Sequence, residues 1–248
     1  MFKPFRFISS IALLFLSSCS SVYMPNVPNT PMLSSQGEFS GGAHISLRGN
    51  ANFNGAYAVS NHIGLLAGGE YMNSERHRKD FNTKMVEIGG GYFTTFGPDK
   101  NRILEIYAGV GTGKTDRSFR TFDSGNLISS ERQMTDFSKT FLQVNYSSKK
   151  NKNFHLFGNN YPLNYGTAFR ISHVSMDNFF INGIVTHKED NIYLEPIFFT
   201  RMRLSDAVQL QYTTSSNIGL KNRKYMTAGN SIFSVGAVIN VGGLKKKK

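Results

Sequence analysis

The stretch Arg102-Ile103-Leu104-Glu105-Ile106-Tyr107-Ala108-Gly109-Val110-Gly111-Thr112 decides the fold. Leu104, Ile106, Ala108 and Val110 share one parity, while Glu105, Tyr107, Gly109 and Gly111 share the other. A helix would wrap both sets around its axis, whereas a strand puts them on opposite faces. The same period of two recurs from residue 38 nearly to the end. It predicts ten strands, over residues 38–48, 51–59, 62–73, 84–96, 102–119, 136–148, 163–176, 192–203, 207–217 and 231–241. Gly, Phe and Tyr are abundant (24, 21 and 11 of 248 residues), as antiparallel strands and their turns require.

The connections between these strands alternate in length. Ser60-Asn61, Gly97 to Asn101 and Leu204 to Asp206 are tight, whereas Ser74 to Thr83, Arg120 to Thr135, Asp177 to Asn191 and Ile218 to Asn230 are long. The link Lys149 to Asn153 is intermediate, and Gly49-Asn50 is a tight exception on the long-loop side. Two unlike strand faces, an even strand count and this alternation describe an all-β fold. The expected architecture is a closed antiparallel up-and-down β-barrel of about ten strands, of the outer-membrane type, with both ends of the barrel domain on one rim. Strands of nine or more residues suffice to cross hydrocarbon at a tilt, and closure leaves no unpaired edge in lipid.

Parity also assigns an interior. Glu70, Glu87, Glu105 and Glu195 lie opposite their strands' apolar stripes, as do Arg48, Arg170, Arg201 and Arg203. Charges enclosed by a closed barrel need partners, so Glu70, Glu87, Glu105, Arg170, Glu195 and Arg201 are expected to form a polar network filling the lumen. Ten strands make a barrel little wider than the eight-stranded kind that side chains fill. The opposite assignment of faces also fits the pattern: a lipocalin-like, membrane-tethered periplasmic barrel with an apolar cavity for a lipid.

The N-terminus has its own logic. Lys3 and Arg6 precede the mostly apolar Phe7 to Leu16, which is too short to span a bilayer, and Ser17-Ser18 precede the chain's single cysteine, Cys19. The segment resembles a lipobox. That resemblance implies cleavage after residue 18, a diacylglycerol on the Cys19 thiol and a further acyl chain, such as palmitate, on its amine. Two or three chains, at about 0.8 kcal/mol per buried methylene, give stable anchoring. Ser20, where an Asp often retains lipoproteins in the inner membrane, favours a lipid-anchored location in the outer membrane; the leaflet stays open. The chain thus divides into a signal (1–18), an extended lipidated tether (19–37) bearing Pro25, Pro28 and Pro31, a barrel (38–244) and a basic tail (245–248).

Val22-Tyr23-Met24-Pro25-Asn26, Asn29-Thr30-Pro31-Met32-Leu33 and Gly37-Glu38-Phe39 are similar to the start of an uncharacterised family of small outer-membrane β-barrel lipoproteins. The resemblance covers the mature chain and implies location and architecture, not activity. One departure is the ending, Leu244 followed by Lys245 to Lys248, where many such barrels end in an aromatic residue.

The formal charge of +12 falls to +10 once Lys3 and Arg6 are removed with the signal. In an exported chain this excess points to anionic headgroups or lipopolysaccharide phosphates, not nucleic acid. The basic run Glu75-Arg76-His77-Arg78-Lys79 would face the outside. Ala108 to Thr115 loosely matches a phosphate loop, but no amphipathic helix follows, so neither a nucleotide nor any other cofactor is expected. The six histidines lack metal-ligand spacing. His173, Ser175 and Asp177 raise the possibility of a barrel enzyme acting on lipid, but side chains spaced by two on one strand point in parallel and do not converge into a relay. The leading expectation is a structural or surface-interacting barrel without catalysis, held by its exterior and by lipidated Cys19.

Overall fold

The computed structural model describes residues 21–156, 158–227 and 231–242. The signal segment, Cys19 and the tail Lys245 to Lys248 lie outside the described residues. The strands are β1 (Phe39–Ser46), β2 (Ala51–Ala58), β3 (Ile63–Arg76), β4 (Lys79–Phe96), β5 (Arg102–Asp123), β6 (Asn126–Leu156), β7 (Asn159–Ile181), β8 (Ile184–Val185), β9 (Asp190–Arg203), β10 (Val208–Ser216), β11 (Ile218–Gly219) and β12 (Ser231–Val241). The one helical element among the described residues is a 3₁₀ turn, Pro98–Lys100.

Ten long strands form a closed antiparallel ring. Each of β1 to β7 pairs with the next, β7 pairs with β9 from Leu163↔Met202 to Ser175↔Asp190, and β9, β10 and β12 follow. The ring closes where Phe39 on β1 opposes Val241 on β12. The two-residue strands β8 and β11 extend its rim by pairing with β7 and β9. The start of β1 and the end of β12 share one rim, the terminal end. The turns after β1, β3, β5 and β7 occupy the other, the loop end.

Three of the predicted long loops are largely strand. β3 and β4 pair to Arg76↔Lys79, and β5 and β6 pair to Asp123↔Asn126, so each connection is a two-residue turn. Ser124 and Gly125 have φ of 49° and 85°, and Asn182 and Gly183 have 51° and 81°. These left-handed pairs turn a hairpin in the sense that matches strand twist. At the terminal end, β6 and β7 likewise run past the expected link at Lys149 to Asn153, to Leu156↔Asn159.

The described residues of the expected extended tether, 21–37, run along the inside of the barrel. From Gly37, whose N–H donates to the Ala58 carbonyl at 2.9 Å, the chain climbs the lumen to Val22, whose N–H donates to the Tyr225 carbonyl at 2.9 Å at the loop end. It is extended, as the prolines require. Val22, Tyr23, Asn26, Val27, Thr30, Met32 and Leu33 are all buried. A bore lined with polar side chains supplies partners for a backbone that makes no ladder of its own.

Close strand packing also sets limits on substitution. A Cβ on Gly91 would lie 1.9 Å from the Ile106 carbonyl oxygen and 2.7 Å from the Tyr107 Cα, whereas one on Gly55 meets nothing within 4 Å. Gly91→Ala is therefore expected to destabilise the barrel by about 1–3 kcal/mol and Gly55→Ala by less than about 0.5 kcal/mol, measured by urea unfolding in detergent micelles.

Candidate functional site

The candidate site is the filled lumen, built in layers between the barrel wall and the threaded segment. Near the terminal end, Glu105 on β5 accepts from the Leu33 N–H at 3.0 Å, the Tyr107 hydroxyl at 3.1 Å and Asn145 Nδ2 at 3.0 Å. Leu33 packs with Ala56, Ala58, Leu66, Phe93 and Tyr107 into a small apolar plug beside this carboxylate. Arg201 on β9 donates through Nε to Gln211 at 2.6 Å and through Nη1 to the Pro31 carbonyl at 3.3 Å, and also reaches the Thr30 carbonyl. Its fork thus satisfies carbonyls that the prolines and extended backbone leave without a ladder partner.

The middle layer carries the most charge. Glu87 on β4 accepts from Lys139 Nζ and Arg170 Nη2, each at 3.1 Å, and all three side chains are buried. Asn26 of the segment joins them, its Oδ1 accepting from Lys139 at 3.1 Å and from Arg170 at 3.2 Å. Arg170 Nε donates to Gln143 at 2.7 Å, and Gln143 in turn donates to the Asn29 carbonyl at 2.7 Å. The Arg170 guanidinium lies 4.5 Å from the Phe141 ring centroid, a cation–π contact. Two cations therefore share one carboxylate and one amide oxygen, an arrangement tolerable in a dry interior only because each donor finds an acceptor.

Toward the loop end, Glu70 accepts from Asn50, and the Tyr23 hydroxyl donates to Glu195 at 3.3 Å. Tyr23 meets Phe137 edge-on at 5.6 Å and Tyr193 at 4.9 Å between ring centroids. Val22, Phe179 and Met226 complete an apolar cap over the segment.

Sequence parity placed Glu70, Glu87, Glu105, Arg170, Glu195 and Arg201 inward, and all six are buried in the lumen. The structure joins Glu87 directly to Arg170; Glu70, Glu105, Glu195 and Arg201 each have other partners. Arg48 and Arg203, given the same inward parity, are exposed at opposite rims, Arg48 beyond the end of β1 and Arg203 as the last residue of β9. Lys139 and the segment's Asn26, Asn29 and Tyr23 were missed. Lys139 has the inward parity of its strand, a readable signal; the asparagines have none, because in sequence they resemble a solvated linker.

The remaining sequence candidates resolve into structure. Gly109, Gly111 and Gly113 lie within β5, and a Cβ on Gly109 or Gly113 would strike the inward rings of Phe141 or Phe137, at 2.5 Å and 2.3 Å. The run is a smooth strand face that makes room for aromatic rings, with no helix to hold a phosphate. His173 faces outward and contacts Asp190 at 3.2 Å, while Asp177 accepts from Ser138 at 2.7 Å. Neither contact links the two to Ser175.

The exterior has the opposite polarity. Leu65, Val86, Ile88, Ile106, Val110, Leu142, Phe169, Ile171, Val235 and Ile239 are all exposed. Phe39, Tyr57, Tyr92, Tyr146 and Tyr165 stand outward near the terminal end. On β5 the belt stops at Lys114, which pairs with Asp136 at 3.1 Å. The steps from Leu104 to Val110 span roughly 20 Å along the strand, about 15 Å of height at the tilt usual for membrane-barrel strands.

A closed antiparallel ring with an apolar outer belt and a charged, filled interior is a barrel of the outer-membrane type. No family model matches the chain, and no curated protein matches its sequence. Among solved structures it is similar to the translocator domain of autotransporter NalP from Neisseria meningitidis, at 12% identity over 83% of this chain and 86% of that one, with a TM-score of 0.47. It is also similar to the N-terminal β-barrel domain of OprF from Pseudomonas aeruginosa, at 8% identity over 84% of this chain and 100% of that one, with a TM-score of 0.33.

The middle layer yields a quantitative expectation. Glu87→Leu strands Lys139 and Arg170 without their carboxylate and is expected to cost about 3–5 kcal/mol. Lys114→Met, at an exposed pair, should cost less than about 1 kcal/mol, both read from urea midpoints at constant slope.

Proposed function

We propose that this chain is a non-enzymatic outer-membrane barrel lipoprotein, acylated at Cys19, whose role is structural or surface-interacting. The observation that carries this reading is the inversion of polarity around the ring: apolar side chains outside, hydrogen-bonded charges inside. An exposed belt of this extent is unfavourable in water and favourable against hydrocarbon. The lipocalin-like alternative needs an apolar cavity, but the space it would use holds a paired polar network and the chain's own residues 21–37. Chemistry on a lipid would need a convergent nucleophile and base, and the outward His173 and Ser175 do not form one. At the loop end, Arg76 and Lys79 supply positive charge for phosphates of a glycolipid leaflet, whereas Arg132 and Arg223 are already paired with Asp116 and Asp190.

Ile88→Arg separates the membrane barrel from a soluble one, because Ile88 is exposed in the middle of the belt. In lipid vesicles this substitution is expected to cost about 2–4 kcal/mol, lowering the fraction of chain that migrates in its compact, unboiled form on a gel. A parent chain that folds in aqueous buffer without detergent, with the variant folding there as readily, would refute the membrane reading.

A further inference from the structure

The path of residues 21–37 bears on where a lipid attached at the N-terminus would sit. Strand polarity alone suggests that an anchor lies at the terminal end, because β1 begins there. The structure sends the chain the other way. Fully extended, the residues from Ser21 to Gly37 reach on the order of 50 Å, enough to cross a hydrocarbon core of about 30 Å.

Contacts along the segment rise steadily from one rim to the other. Gln36 N–H donates to Asn61 at 3.1 Å in the terminal-end turn. Asn29 Nδ2 donates to the Gly55 carbonyl at 2.7 Å in mid-barrel. Val27 N–H donates to Asn52 at 2.9 Å above it. Val22 reaches Tyr225 in the connection between β10 and β12. Tyr23 packs beside Phe137, one position from the outward Asp136 whose ion pair with Lys114 marks the edge of the belt. The described part of the segment therefore reaches, still buried at Ser21 and Val22, the height of the loop-side edge of the belt.

We infer that the lipidated N-terminus emerges at the loop end, so that its acyl chains occupy the leaflet on the loop side, opposite the rim where the barrel strands begin and end. The inference rests on the proposed membrane insertion and on acylation of Cys19. Its physical basis is reach. Cys19 is two residues from Ser21, at most about 7 Å of chain, whereas the other leaflet lies the depth of the barrel away. Buried side-chain contacts to Asn26, Thr30 and Leu33 hold the segment along that depth. The outer leaflet then receives both the anchor and the basic hairpin tips.

The test uses the full-length chain in cells, with acyl chains labelled metabolically by an alkyne fatty acid. Ser124→Cys, at the β5–β6 turn, first reports orientation: labelling by a membrane-impermeant maleimide on intact cells places the loop end outside. No labelling there, with labelling after permeabilisation, defeats the orientation in the proposed function and the outer-leaflet assignment with it. Val22→Cys with Tyr225→Cys should then give a disulfide in most of the acyl-labelled chain, as should Gln36→Cys with Asn61→Cys. A bridge at Gln36 and Asn61 without one at Val22 and Tyr225, or a Val22–Tyr225 bridge confined to unacylated chain, overturns the inference while leaving the barrel intact. An epitope inserted between Ser20 and Ser21 provides a second readout that needs no bridge. Antibody binding on intact cells supports the inference, and binding only after permeabilisation, in cells whose Ser124→Cys is labelled from outside, overturns it.

Discussion

Glu87, Lys139 and Arg170 are buried together, with the Asn26 amide completing their shell. A closed ring whose outside is apolar must turn its charges inward, and charges held inward must be neutralised where water is scarce. One carboxylate between two cations leaves hydrogen-bond donors in excess. The threaded segment supplies a further acceptor through the Asn26 side chain, while its Asn29 carbonyl accepts from Gln143 and its Thr30 and Pro31 carbonyls from Arg201. Wall and segment are thus two parts of one network, and neither satisfies its polar groups alone.

That dependence explains why the interior was half legible in the sequence. Parity is local: Leu104 and Glu105 are neighbours in the chain, and their opposite fates follow from strand geometry. The barrel, its ten long strands and the inward carboxylates could therefore be read residue by residue. Partnership is not local. Asn26 meets residues more than a hundred positions away, and an asparagine beside prolines would be equally satisfied by water. Nothing in Val22 to Gly37 distinguishes a linker outside the barrel from one inside it.

The hairpins at the loop end were hidden for a different reason. Alternation is imposed by two unlike environments on the two faces of a strand, and beyond the belt both faces of a hairpin meet water. Arg120, Thr121, Asp123, Asn126 and Ser129 thus lose the period of two while remaining paired across the hairpin, with a register shift between Thr121 and Phe122. The turn residues Ser124-Gly125 and Asn182-Gly183 were the surviving signal, since left-handed pairs of this composition turn hairpins. Weighted above the lapse in alternation, they would have shortened the expected loops.

The seam between β1 and β12 acquires a meaning in time from the segment that precedes it. β1 begins two residues after Gly37, so the strand that closes the ring and the chain that fills it are contiguous. A ring sealed first would offer only a narrow opening to a chain bulky with Tyr23 and Met24. An occupant that already lies against the open sheet avoids that passage, and the pairing of Phe39 through Ser46 with Ser234 through Val241 then wraps the wall around it. The closed ring thus fits the rolling of a sheet around a thread better than the insertion of a plug.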